Sequence, residues 1–144
     1  MAFVHGKSTV FKLDNSAGTL VDLSSYLDDV GFPQSIETGE TTTFGVAGGS
    51  KTYVVGLNDR TISLAGKWDS TLDAHVAAVI AAQADGTVAS SSFEFGPAGS
   101  ASGRVKYSGE ALVTSFEVTN PVGDVVTFSC ELQVTGQVTR STWS

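Results

Sequence analysis

ALVTSFEVTNPVGDVVTFSCELQV, residues 111–134, shows its structural period directly. Val126, Phe128, Cys130, Leu132 and Val134 alternate with Thr127, Ser129, Glu131 and Gln133, and Leu112, Phe116 and Val118 repeat the alternation earlier in the stretch. A period of two puts apolar side chains on one face of a strand and polar ones on the other. Between the two runs, NPVGD supplies the fixed φ of Pro121 and the free φ of Gly123 that a turn needs. The stretch therefore predicts an antiparallel hairpin with one buried face.

The same period extends outward. In TISLAGKW, residues 61–68, Ile62, Leu64 and Trp68 alternate with Thr61, Ser63 and Lys67. Shorter strands are expected at 9–13, 19–23, 35–38, 53–56, 92–95 and 105–107, with DNSAG and GLND as turns and SSYLDDV as a further helical turn. One segment has a helical period: STLDAHVAAVIAAQADG, residues 70–86, sets Leu72, Val76, Val79 and Ile80 on one stripe. Ser70 is the expected N-cap, Asp73 takes the capping-box position, and Gly86 follows the last turn. No internal repeat or linker divides the chain, so residues 1–144 are expected to form a single mainly β domain, an antiparallel β-sandwich or barrel with one flanking α-helix.

Composition narrows the function. Eight basic against 15 acidic residues leave a formal net charge of −7, which argues against tight nucleic-acid binding, since that requires Lys and Arg to displace counterions from phosphate. A surface of the same sign as DNA lets the polymer pass without sticking, but on charge alone the favoured reading is that the acidic excess keeps the protein soluble. Cys130 is the one cysteine and lies in an apolar alternation, the setting of a buried, inert thiol. The start, MAFVHGKSTVF, lacks the pattern of a secretion signal, and AAVIAA is too short to cross a bilayer. A soluble protein made in a cytoplasm, with no membrane partner, is the expectation.

Catalytic and ligand motifs are missing from the chain. GVAGGSKT, residues 45–52, approaches the phosphate-binding loop G-x-x-x-x-G-K-[ST], but Ser50 stands where the second glycine is required, and the β-branched YVVGL that follows is no helix. His5 and His75 have no partners at metal-ligand spacing. Asp28 and Asp29 are adjacent and would diverge on regular structure, Asp85 belongs to the turn after the helix, and no calcium-loop pattern exists. Ser100 and Ser102 lack the nucleophile-elbow spacing. No enzyme, cofactor or metal is expected.

The order of the pieces carries more information than any one of them. FKLDNSAGTLVDLSSYL leads through TTTFG and KTYVVGLNDRTISLAGKWD to the helix, and the chain closes with GEALVTSFEV, a turn and VVTFSCELQVTGQVT. This order resembles the major tail tube proteins of long, flexible-tailed bacteriophages, over nearly the whole chain. The resemblance implies a virion protein that polymerises as stacked hexameric rings into a hollow tube for DNA ejection. It also implies tape measure, tail terminator and initiator proteins as partners, and DNA that passes without specific binding. The tube proteins of contractile tails and of type VI secretion share the implied architecture.

The residues themselves supply a reason for assembly. From Gly39 to Thr52 the chain spends more backbone than a hairpin needs. As an arm about seven residues long it would reach about 23 Å. With the resemblance, Thr41, Thr42, Thr43, Phe44, Gly45, Gly48, Gly49 and Lys51 are the expected inter-subunit contacts; without it the same stretch reads first as a floppy surface loop with no partner. Phe3, Val4 and Trp143 are candidate contacts at the two ends of the chain, Trp143 equally able to fold back onto its own subunit, and Glu37, Glu117 and Glu131 are candidate acids of the tube lumen. The rival reading is a monomeric β-sandwich that recognises carbohydrate, a role that calls for aromatics on a solvent face. Trp68 falls instead in a core register, and Tyr26, Tyr53 and Tyr107 are scattered.

Overall fold

The computed structural model describes residues 3–144. Eight strands form one antiparallel sheet: β1 (Val10–Asp14), β2 (Leu20–Asp22), β3 (Leu27–Gly31), β4 (Gln34–Glu40), β5 (Tyr53–Lys67), β6 (Ser91–Gly96), β7 (Val105–Thr119) and β8 (Thr127–Thr142). The order across the sheet is β2-β1-β6-β7-β8-β5-β3, with β4 also paired to β5. One helix, α1 (Ser70–Ala84), joins β5 to β6.

The expected sandwich is realised by a single sheet that curls. Phe32, just after β3, stacks edge-on against Tyr107 of β7 at 5.3 Å and Phe95 of β6 at 5.9 Å between ring centroids. Along the sheet those strands lie three and four positions from β3, about 14 and 19 Å away if the sheet were flat. Only curling brings the rings together. The enclosed face holds Phe11, Leu13, Ile62, Leu64, Phe93, Phe128, Cys130 and Leu132, all buried. Leu72 and Val76 of α1 close the core.

The hairpin expected from residues 111–134 is present, with Thr119 opposite Thr127 at its turn end. Its faces differ from the expectation at one place. Ala111 and Val113 reach the core along with Phe116, whereas Leu112 is displaced from that face. The cause is a bulge between Val113 and Ser115, which inserts one residue and reverses the alternation. The polar groups it disturbs are satisfied: the Val113 N–H donates to Gln83 Oε1 of α1 at 3.1 Å, and the Thr114 hydroxyl donates to the Glu131 carbonyl at 3.1 Å.

Other boundaries shift for identifiable reasons. GLND is no turn: β5 runs through it as a bulged strand of 15 residues. The strand expected at 105–107 is the start of β7, also 15 residues long. SSYLDDV splits into a 3-10 turn (Ser24–Tyr26) and β3. Asp69, not Ser70, caps α1, accepting from the Thr71 N–H at 2.8 Å. Asp73 closes no capping box; its carboxylate accepts the Trp68 indole N–H at 3.2 Å, tying the end of β5 to the first helical turn. Ile80, expected in the buried stripe, faces outward, and Ala82 joins Leu72, Val76 and Val79 there instead. Gly86, at φ +83°, ends the helix as expected.

Candidate assembly interface

β3 and β4 are two segments of one kinked strand, bent at Phe32 and Pro33, and both pair with β5 on the same side. The proximal half of this long hairpin lies in the curled sheet. The distal half, β4 with residues 53–60 of β5, leaves the domain as a two-stranded arm. Every residue of β4 and every residue from Tyr53 to Asp59 is exposed. Backbone pairing runs from Gln34 opposite Arg60 to Thr41, whose N–H donates to the Thr52 carbonyl at 2.8 Å. Those seven residue steps make a ladder of about 23 Å.

Local chemistry explains the shape of the arm. The threonines at its end bind each other: the Thr41 and Thr52 hydroxyls are 2.8 Å apart, and the Thr52 N–H donates to Thr42 Oγ1 at 2.8 Å. Beyond them the chain reverses through Gly45, Gly48 and Gly49, at φ +80°, +70° and +68°. Side chains with a Cβ rarely adopt that left-handed conformation. Lys51 reaches Glu40 at 3.7 Å, an exposed pair that adds at most about 1 kcal/mol. At the root, Arg60 Nε donates to Gln34 Oε1 at 3.0 Å.

The arm is apolar where a solvated hairpin would be polar. Ile36, Phe44, Tyr53, Val54, Val55 and Leu57 are all exposed, Phe44 completely, Val55 at 73 % and Leu57 at 76 %. The register puts Ile36, Tyr53 and Val55 on the face that continues from the core, and Val54 on the reverse. A bulge opposite Glu37 re-aims the strand at Gly56, where a Cβ would meet the Glu37 Cβ at 3.0 Å. Such a patch of apolar side chains on both faces is a candidate contact surface. Thr41 to Lys51, expected from the sequence, form its tip. The apolar shaft residues escaped the sequence reading because Tyr-Val-Val in a β pattern is also the signature of a half-buried strand.

The remaining expected site residues lie elsewhere. Phe3 and Val4 are exposed. Trp143 packs on its own domain: Lys12 Nζ and Lys106 Nζ sit 5.2 and 5.1 Å from its ring centroid, and its backbone is clamped to Arg104 and Gly103. Glu117 stands opposite Ser129 and Glu131 opposite Ser115, so those two acids share the outer face of the sheet. Glu37 is out on the arm, apart from them.

A cleft of about 470 Å³ lies between the start of β1 and β3, lined by His5, Lys7, Asp28 and Asp29 among others. Its one phenylalanine, Phe11, is fully buried and offers no ring face to a sugar. Among the described residues no group of His, Cys, Asp or Glu is placed to hold a metal ion, and no helix is long and apolar enough to cross a membrane. Burial pushes the Cys130 thiol up to about 12, which keeps it protonated and unreactive. Burial also holds the His75 imidazole below its ordinary value, against the opposing pull of Asp14.

The family profile described as phage tail tube protein matches residues 3–140. The tail of an empty gene transfer agent particle, refined with C6 symmetry, is 17% identical with a TM-score of 0.77, covering 97% of this chain and 100% of that one. The baseplate of the anti-feeding prophage, sixfold symmetrised, is 10% identical with a TM-score of 0.69, over 99% and 96%. The SPP1 tail tube is 16% identical with a TM-score of 0.64, over 97% and 80%. At these identities the likeness is one of fold. No curated protein matches the sequence.

Proposed function

Since the chain belongs to the phage tail tube protein family and its product is thus a component of a virion tail, we propose that its copies join head to tail into hexameric rings that stack as a hollow tube for DNA ejection. One observation carries the reading: an arm of about 23 Å with exposed apolar residues on both faces, which a monomer in water has no use for. Covered by other copies, the same residues hold the tube together. Heterologous contacts of this kind close into rings when the rotation permits and into filaments along the axis. The sixfold symmetry in the tail of the gene transfer agent particle supports the ring size.

The outer face that bears Glu117 and Glu131 among Ser63, Ser115 and Ser129 suits a lumen wall. On the same face Lys67 is held by Asp28 at 3.1 Å, which leaves little free positive charge for DNA, and the acids repel phosphate within about 8 Å at physiological salt. Tape measure, terminator and initiator proteins complete the assembly, and synthesis takes place in the host cytoplasm. Negative-stain microscopy of concentrated purified protein tests the reading. Rings or tubes are expected; protein that stays monomeric at millimolar concentration, even with a tail initiator, refutes it.

A further inference from the structure

The arm leaves the sheet at a fork, and the fork has a cause. β5 pairs with β8 only from Lys67 opposite Thr127 to Thr61 opposite Gln133. Beyond that point β8 bulges: Gly136, at φ +81°, with Gln137 and Val138 opposes the single residue Gly109 of β7. The bulge bends β8 away from β5. Gln133 fills the point of separation. Its amide donates to Asp59 Oδ1 at 2.7 Å and to the Arg60 carbonyl at 3.1 Å, the first outward-facing carbonyl of β5 past the shared ladder. Two strand edges therefore diverge from Gln133 with no strand between them: residues 53–60 of β5, and Thr139–Thr142 of β8, whose other edge is paired regularly with β7.

The charges around the fork are unevenly placed. In a chain of net charge −7, four of the eight basic residues, Lys12, Arg104, Lys106 and Arg140, gather where β8 ends. Among the described residues Arg104 and Arg140 form no ion pair. Arg140 stands opposite Tyr107, whose ring touches Phe32 at the root of the arm. Between Gln34 and Arg60 the arm holds Glu37, Glu40 and Asp59 against Lys51 and Arg60, a net charge of −1; Glu37 is unpaired among the described residues, and Glu40 has only the long contact to Lys51.

We propose that the fork is the receptor for the arm of a second copy, with the free edge of Thr139–Thr142 pairing to the free edge of the incoming β5 and with Arg140 receiving the incoming Glu37. The inference rests on the tube reading above and adds to it where the arm lands. Main-chain pairing of about four residues fixes the register. The charge pair selects an arm over the neutral or basic surfaces of other proteins. Each copy then offers one arm and one fork, the condition for a head-to-tail chain of contacts.

Two measurements test it. Cys130, buried and protonated, does not interfere with engineered thiols. The singles Val55→Cys and Thr139→Cys are mixed in equal amounts, assembled and oxidised mildly. On a non-reducing gel the mixture should give at least about tenfold more dimer than either single alone, as expected for thiols held together. In the second measurement Arg140→Glu should raise the critical concentration for assembly about fivefold to tenfold, and Glu37→Arg in the same chain should reverse it. Tubes that form without the mixed dimer, or a charge reversal that fails to rescue Arg140→Glu, overturn the fork and leave the tube reading intact. Wild-type protein that forms no tubes overturns both.

Discussion

The double variant Val55→Thr, Leu57→Thr isolates what the arm contributes to assembly from what the domain contributes to itself. Threonine keeps the β-propensity of the arm and removes most of its apolar surface. Val55 and Leu57 are 73 % and 76 % exposed in the single chain. Fully burying such a side chain is worth about 1.5–3 kcal/mol, so covering the exposed three-quarters yields about 1.5 kcal/mol each. The pair loses about 3 kcal/mol per subunit, which multiplies the critical concentration by roughly 150. Neither side chain is buried in the monomer, so its unfolding free energy should stay within about 0.5 kcal/mol of wild type. Sedimentation across a concentration series reads the first quantity and urea unfolding under dilute conditions reads the second. A critical concentration that rises by less than about threefold, or a loss of monomer stability as large as the loss of assembly, would show that the exposed side chains of the arm do not drive assembly.

Further expectations concern the domain and the lumen. Leu132→Ala, at a position 1% exposed, should cost about 2–5 kcal/mol in urea unfolding. Gly66→Ala would put a Cβ against the Tyr26 carbonyl oxygen and 2.8 Å from Leu27 Cα. Backbone cannot yield there as a side-chain tip would, so β3 must shift and stability should fall by about 1–3 kcal/mol or more, seen as a lowered melting temperature. His75 has a folded pKa below its ordinary 6.5 because burial disfavours the charged form. Its contribution is therefore present above 6.5 and lost as pH falls through the folded pKa. Between about pH 7.5 and pH 5 wild type should lose more melting temperature than His75→Gln, and equal losses would contradict the assignment. Reversing Glu117 and Glu131 to Lys should slow DNA release from tails, and unchanged ejection kinetics would remove the lumen role.

Much of this fold is legible in the sequence because its strands obey a strict period and its helix is separately patterned. Phe128 to Val134 read correctly since every second side chain enters one core. The failures sit at bulges. At Thr114 and at Gly56 an inserted residue reverses the alternation, so an unbroken period of two puts Leu112 on the wrong face and GLND reads as a turn. A bulge leaves no compositional mark until the partner strand is known. The arm was legible as surplus backbone between Gly39 and Thr52, but its apolar shaft was not. Exposure depends on what lies beside a strand, and residues 53–60 of β5 have only β4 beside them. Trp143 illustrates the same limit, since two lysines from distant strands fix its ring to the domain.

In the proposed tube the arm serves other copies of the chain and nothing within its own. Replacing residues 36–58 by Asn-Gly removes the arm with its apolar shaft while leaving the pairing of β3 with β5 intact. Negative-stain microscopy of this variant beside wild type, at equal concentration and with matched far-UV circular dichroism, should show tubes for wild type and only dispersed particles for the variant. Tubes of normal length from the shortened protein would contradict the account.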